Sequence, residues 1–312
     1  MKKRWQESAA YPAYRSTAKI HRIFLRMKVA CGLGQSCLTD SKHGIVADFL
    51  HEVLPDVQST VVLVGTPGPS QKLVIQLWDD QKVIAYLKYA ELPRAQILLQ
   101  QEADILLSLP KGLGPTVLKY GQIEQGVGLL MTPVIGRKIS ARLPLPLSPT
   151  FFLQSLETGK EVEVDRHPWV ASFLMKHRES HVISWLSALA SRKWSVTRYH
   201  GDFAPWNLLV NQENRLLAID WEYGLREGFP LLDLAHYVLQ VAKLIYRWPP
   251  ERAFVYTLHY LRDHETWRLS LLEAKAITCM TAYILFLRAR DEGHAEDSHI
   301  QRWHRAVWEK DR

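Results

Sequence analysis

Cysteine is scarce in this chain: three among 312 residues. Cys31, Cys37 and Cys279 are odd in number and lack the short paired spacings of a metal knuckle. A disulfide framework or a structural zinc site is therefore not the organising element, and a reducing compartment is expected. Long apolar runs are missing as well. No stretch reaches the ~18 residues that a membrane-spanning helix needs, and no apolar h-region or small-residue cleavage site follows the initial MKKR, so a cytoplasmic chain is expected. Internal repeats and low-complexity segments are absent too. What remains is 47% hydrophobic and 23% charged, the composition of an ordinary globular protein with room for one large domain or two lobes.

Positive charge is in excess, yet most of the chain has none to spare. The formal net charge is +7. Residues 1–28 alone hold Lys2, Lys3, Arg4, Arg15, Lys19, Arg22, Arg26 and Lys28 against a single acid, Glu7, so the rest of the chain is neutral. A neutral body without a recognition motif or a basic stripe argues against nucleic-acid binding. Within the leader, Ile20, Ile23, Phe24 and Met27 recur at helical spacing between basic faces. Such a helix either packs its apolar stripe on the body or makes a peripheral membrane contact through residues 1–28. The first reading is favoured, because one short helix is a weak anchor.

Hydrophobic periodicity organises the remainder. A helix is predicted over 39–54, with Asp40 or Ser41 as N-cap and Ile45, Phe49, Leu50 and Val53 as its apolar face. β-rich runs at 59–65, 72–79 and 82–90, broken by TPGPSQ and DDQ, predict three antiparallel strands. A helix over about 92–109 and strands near 116–120 and 127–132 follow, and the Pro-rich, basic stretch 133–149 reads as a linker. Beyond it the pattern is helical over about 149–156, 168–192, 231–246, 250–263, 268–290 and 296–309. The expected fold class is α+β: a small antiparallel five-stranded lobe with one helix, then a larger, mostly helical lobe.

One polar hairpin interrupts the helical half. HGDFAPWN (200–207) is followed by two short strands, NLLV and LLAID. Asp202 precedes Asn207 by five positions and Asp220 by eighteen. A carboxamide at the start of one strand and a carboxylate at the end of the next can converge on a divalent ion; oxygen donors of this kind suit Mg²⁺, completed by water and substrate phosphates. Asp202 is then left to accept a proton from an attacking hydroxyl. Each residue alone is also an ordinary turn or cap residue; the combination is what points to chemistry.

This hairpin resembles the aminoglycoside phosphotransferase and choline kinase group of small-molecule kinases, relatives of the protein kinases. The likeness lies in their His-Gly-Asp-x-x-x-x-Asn loop, here HGDFAPWN, and their Ile-Asp-Trp/Phe strand, here IDWE. It implies a two-lobed, protein-kinase-like fold in which Asp202 is the catalytic base, Asn207 and Asp220 hold Mg²⁺, and His200 props the loop. It also implies a strand lysine for the ATP phosphates and a helix glutamate to hold that lysine. Lys88 on the third predicted strand and Glu102 in the next helix occupy those places, Glu91 lying too near the helix start. The phosphate loop falls on GTPGPSQ, with Gly65 and Gly68, and the hinge on LLMTPVIG, with the backbone of Thr132 and Val134 facing adenine. Asp233, opening DLAHYVL, reads as a structural N-cap.

The resemblance divides the chain into a basic extension (1–58), a nucleotide-binding lobe (59–133) and a helical lobe with the catalytic loop and acceptor site (134–312). Protein kinases carry a lysine two residues after the catalytic Asp and a long activation segment; here Ala204 and a short WEYGLREGFPLL stand instead. The expected activity is therefore transfer of the γ-phosphate of MgATP to a hydroxyl of a small molecule or glycan. Choline or ethanolamine is suggested by DWEY, with Glu222, and an aminoglycoside by the acids of DEGHAED (291–297) if these form a pocket. Trp206 is the residue best placed to shape the acceptor side. A nucleotide-binding pseudokinase or scaffold is the competing class, favoured by a phosphate loop in which Pro67 and Pro69 remove two N–H donors.

Overall fold

The computed structural model describes residues 49–50, 53–54, 57–65 and 67–311. The basic leader, and most of the helix expected over 39–54, lie outside the described residues; Phe49 and Leu50 are helical. The chain divides into two compact units. Among the described residues, one comprises those from Phe49 to Leu107 together with Pro115–Ile135, the other Ser108–Gly114 together with those from Gly136 to Asp311. They are called the sheet unit and the helical unit below.

The sheet unit is a five-stranded antiparallel sheet in the order β1-β2-β3-β5-β4. Its strands are β1 (Ser59–Val64), β2 (Leu73–Trp78), β3 (Val83–Ala90), β4 (Val117–Ile123) and β5 (Gly126–Met131). Helix α1 (Pro93–Ser108) lies between β3 and β4 in the chain. The β-rich runs fall on these strands because alternate side chains find one apolar face: Ile75, Leu77, Ala85, Leu87 and Leu130 are buried together with Phe49 and Leu50. The β1–β2 hairpin keeps strict register, Ser59 opposite Trp78 and Val64 opposite Leu73.

In the helical unit, α2 (Thr150–Ser155), α3 (Pro168–Leu174), α4 (Ser180–Ala188), α5 (Leu232–Gln240), α6 (Pro250–Arg262), α7 (Leu271–Asp291) and α8 (His299–Trp308) are the α-helices. A π-helical turn, Val241–Ile245, continues α5 without a break. The stretch expected as one helix over 168–192 is two, interrupted at 175–179, where the charged KHRE has no apolar face to bury. The stretch expected as a linker contains a short strand, β6 (Arg137–Lys138), which pairs with β9 (Leu208–Val210) beside β10 (Leu216–Ala218). A second small sheet, β11-β8-β7, was not expected; it is formed by β7 (Glu157–Val162), β8 (Trp194–Tyr199) and β11 (Leu225–Gly228). β7 reads ETGKEV, mostly exposed, and so lacks the alternation that marks a half-buried strand.

The core of the helical unit gathers on α7. Ser270 accepts a hydrogen bond from Glu273 N (3.2 Å), and Glu273 Oε2 accepts one from Ser270 N (2.7 Å), a capping box that fixes where the helix starts. Ala274, Ile277, Met280 and Ala282 are buried in one cluster with residues of α4, α5 and α8, among them Trp185, Leu234, Leu239 and Val307. Six tryptophans (Trp169, Trp185, Trp194, Trp221, Trp303 and Trp308) are buried in this unit, so most of its indoles serve packing. Among the described residues no helix is long and apolar enough to cross a membrane.

Candidate active site

The site is built at the end of β8. There the chain must turn under another segment, and Gly201 does so with φ +81; a Cβ at this position would lie 2.3 Å from Tyr223 O, so only glycine fits. Asp233 grips this turn. Its carboxylate accepts the N–H of His200 (2.8 Å) and of Gly201 (2.9 Å) across 33 and 32 residues of chain. The expectation of an N-cap is corrected here: the cap position of α5 is Leu231, at φ +66 and with no side-chain cap, while Asp233 spends both oxygens on the loop. Burial pushes the Asp233 carboxyl up to about 7, against the pull of those two amides.

His200 is wholly buried. Its Nδ1 accepts the N–H of Asp202 (3.1 Å), so the ring hydrogen sits on Nε2, which donates to Ile219 O (3.0 Å). Burial holds the ring neutral, its pKa down at about 4, as suits a fixed strut between the loop and the strand leading to Asp220. The ring also packs on Trp221, 4.4 Å between centroids.

Asp202 is one-quarter exposed, and its Oδ1 lies 3.1 Å from His236 Nε2 on α5. Its Oδ2 accepts from Asn207 Nδ2 (2.8 Å), and its main-chain oxygen accepts from the same nitrogen (2.9 Å). Burial would raise this carboxyl, but the hydrogen bond from His236, with the charge of Arg288 on α7, brings it down to about 2. Asp202 is thus an anion held in place with one oxygen edge towards solvent. His236 is driven below the usual histidine range by its own burial, so the ring that lies against Asp202 is neutral.

Both N–H groups of Asn207 are spent on Asp202, which leaves Oδ1 as the free corner of the amide. Ile219 N donates to Asn207 O (2.9 Å), and β9 and β10 pair with Ala218 opposite Leu208. Asn207 and Asp220 therefore stand side by side at the mouth of one hairpin. Asp220 has φ +66, a left-handed turn that Asp tolerates better than most residues. An amide oxygen and a carboxylate are hard donors and fit Mg²⁺ completed by phosphate oxygens and water. Among the described residues no cluster of three or more His, Cys, Asp or Glu could hold a metal unaided.

Further along the loop, Trp206 is 39% exposed and Glu222 half-buried. Tyr223 donates its hydroxyl to Glu292, and the Arg288 guanidinium lies 3.9 Å over its ring. With Glu292 so engaged and Glu296 paired to Arg305 (3.2 Å), the acids of 291–297 are partly spent inside the protein.

The sheet unit carries the other expected pair. Lys88 on β3 places Nζ 2.6 and 2.7 Å from the two oxygens of Glu102 on α1, with the side chains 1% and 0% exposed. Glu91 instead accepts from Tyr89 Oη (3.1 Å). Gly65 donates its N–H to Lys72 O (2.9 Å), and a Cβ there would crowd that oxygen, so this amide closes the hairpin. Gly68 has open space around it. Thr132 donates its N–H to Thr116 O (2.9 Å), and Val134 is half-buried. His236 and Arg288 were not picked out in the sequence, and Tyr223 entered only as the end of DWEY. Of the first two, only His236 had a signal, one helical turn after Asp233 on the same face.

The model of the phosphotransferase enzyme family matches residues 154–269, which include the whole hairpin from His200 to Asp233. No curated protein matches the chain. Among solved structures, a protein from Haemophilus somnus 129PT described as a fructosamine-3-kinase is 12% identical with a TM-score of 0.50, covering 84% of this chain and 96% of that one. The macrolide 2'-phosphotransferase MphH from Brachybacterium faecium is 13% identical with a TM-score of 0.47 over 84% of this chain and 96% of its own. WbdD, crystallised with the kinase inhibitor LY294002, is 18% identical with a TM-score of 0.32; the match covers 67% of this chain and only 43% of WbdD. The resemblance read from the loop holds over the matched residues, and the α+β fold is like that of the Haemophilus somnus protein.

Proposed function

We propose that this chain, whose residues 154–269 carry the pattern of the phosphotransferase enzyme family, is a kinase that transfers the γ-phosphate of MgATP to a hydroxyl of a small molecule or glycan. The observation that carries the reading is Asp202: an ionised carboxylate fixed by His236 and Asn207, beside two oxygen donors at the mouth of the β9–β10 hairpin. In the reaction the acceptor oxygen bonds to the γ-phosphorus as the bond to the β,γ-bridging oxygen breaks, and the hydroxyl proton passes to Asp202.

Asp202 orients the acceptor hydroxyl and takes its proton late, as a loose transition state requires. With the His236 ring 3.1 Å from Oδ1 and Asn207 donating to Oδ2, the carboxylate has little room to swing away, and positioning supplies much of the acceleration. Asn207 Oδ1 and Asp220 would hold Mg²⁺, which when bound neutralises developing charge on the phosphates. Lys88, kept straight by Glu102, would take the α- and β-phosphates. Asp233 and His200 touch no reacting atom; they fix the backbone on which Asp202 stands.

The test is ADP release by the purified chain with MgATP against pooled hydroxylated acceptors, with Asp202→Asn as control. Release stimulated by one pool in wild type alone supports the kinase. MgATP binding with equal release from wild type and Asp202→Asn in every pool refutes the assigned base and leaves a nucleotide-binding protein.

A further inference from the structure

Beyond Asp202, the helical unit collects two cations, Lys243 and Arg288, that stand outside any close ion pair among the described residues, the charge of Arg288 reaching Asp202 only at longer range. α5 runs on through its π-helical turn, and Lys243 lies seven residues after His236, about 10 Å along the axis at 1.5 Å per residue. π-turns are rare and frequent at functional sites. Lys243 Nζ lies 3.0 Å from His304 Nε2 on α8 and 5.3 Å over the Trp303 ring. Arg288, on α7, has the Tyr223 ring as its partner, and its charge acts on Asp202, His236 and His304 alike. Neither Lys243 nor Arg288 makes an ion pair with a described residue.

The polar groups around these cations also lack partners. His304 is buried and held neutral, pressed down by burial and by Lys243. Its Nε2 accepts from the lysine, so its hydrogen sits on Nδ1, which is buried without a partner. One turn earlier on α8, Gln301 is wholly buried, and both its amide atoms are unpartnered. Buried polar groups are nearly always satisfied, and an orphan cluster calls for an explanation. Here the orphans include N–H donors on the helix whose His304 meets Lys243 and feels the charge of Arg288. A ligand that satisfies such a set carries negative charge and several acceptor oxygens.

We propose that the phosphate acceptor is itself anionic: a polyol or sugar bearing a phosphate or carboxylate, with that group held by Lys243 and Arg288 while its hydroxyl meets Asp202. The inference rests on the kinase reading for the hydroxyl end only; the anion site stands on its own groups. It speaks against aminoglycosides and choline, whose cationic groups would meet Arg288 and Lys243.

Calorimetry on the full chain without nucleotide tests it, using inorganic phosphate, glucose 1-phosphate, glucuronate, neutral glucose, choline and kanamycin as probes. Phosphate and at least one anionic sugar should bind, with Lys243→Gln and Arg288→Gln each weakening affinity at least ~10-fold, one charge-assisted contact being worth about that factor. Lys243→Arg should restore binding, and circular dichroism confirms that the variants are folded. The two anionic sugars separate a phosphate-bearing from a carboxylate-bearing acceptor. Anions binding no better than glucose, or unchanged affinity in Lys243→Gln, overturns the proposal. The kinase reading fails separately: Lys243-dependent anion binding with ADP release indifferent to Asp202→Asn keeps the anion site and removes the transfer. Asp202-dependent transfer to kanamycin or choline, with no binding of anions, does the reverse.

Discussion

Removing one partner of the Lys88–Glu102 pair and removing both should have opposite effects on the sheet unit. The pair is bidentate, at 2.6 and 2.7 Å, and both side chains are essentially out of water. Glu102→Leu leaves an ammonium buried with its main counter-charge gone; breaking a pair of this kind costs about 3–5 kcal/mol. That is roughly two to three and a half orders of magnitude in the folding equilibrium constant. In Lys88→Met/Glu102→Leu both charges are gone and the methylene volume is kept, so the desolvation cost disappears with the attraction. Such replacements are neutral or stabilising by about 1–4 kcal/mol. Urea unfolding of wild type, Lys88→Met, Glu102→Leu and the double variant, followed by circular dichroism and fluorescence, measures the cycle, and MgADP titration of the double variant measures function. The expected result is a double variant at least as stable as wild type that no longer binds MgADP tightly. Singles that cost under ~1 kcal/mol would refute the claim that the pair is desolvated; wild-type MgADP affinity in the double variant would refute its role at the phosphates.

Asp233→Ala removes the acceptor of two buried amides, each worth about 1–3 kcal/mol when left unsatisfied. It should destabilise the helical unit well beyond the loss of a surface carboxylate, and a cost under ~1 kcal/mol in urea unfolding would contradict the role assigned to it. Lys243 is held at about 8 rather than 10.5 by burial, so below pH 8 the fold carries a charge it disfavours. Lys243→Met should raise stability by up to about 3 kcal/mol at pH 7. The advantage should shrink between pH 8 and 10.5, where the folded lysine has lost its proton, the unfolded one still holds it, and the wild type gains stability. A gain that stays constant across that range would be inconsistent with the burial. Asp220→Asn keeps a side chain that tolerates the left-handed backbone but removes the charge, so ADP affinity should lose its dependence on Mg²⁺. An unaltered ratio of affinities with and without the metal would remove Asp220 from the site.

Legibility in the sequence followed the strength of local pattern. The strands of the sheet unit and α1 were readable because VIAYLKYA and its neighbours alternate on one buried face and are closed by Gly, Pro and Asp turns. The hairpin was readable because its carboxylate, amide and second carboxylate stand at the spacings of the family pattern that matches residues 154–269. β7 and β11 were not, since each is mostly exposed and held by pairing to β8 rather than by a buried face of its own. The break between α3 and α4 carries no Gly or Pro, only charge. Asp233 looks like a cap from its place at a helix start, and only the return of β8 to its side makes it a clamp. Lys243, Arg288, Gln301 and His304 come from three separate helical segments, and nothing local distinguishes them from solvated or core residues until the segments pack.

Asp233, His236 and Lys243 follow one another along α5 and its π-helical continuation. The first turn sets where the loop runs and how tightly its carboxylate is gripped; the last reaches the cations some 10 Å on. On the proposed reading, chemistry and choice of acceptor are thus written on different turns of a single rod. If Lys243 binds the acceptor, substitutions from Gln240 onward would retune what is bound without loosening the grip on His200, Gly201 and Asp202. A scaffold so divided can diversify its substrates one turn at a time while the transfer step stays intact.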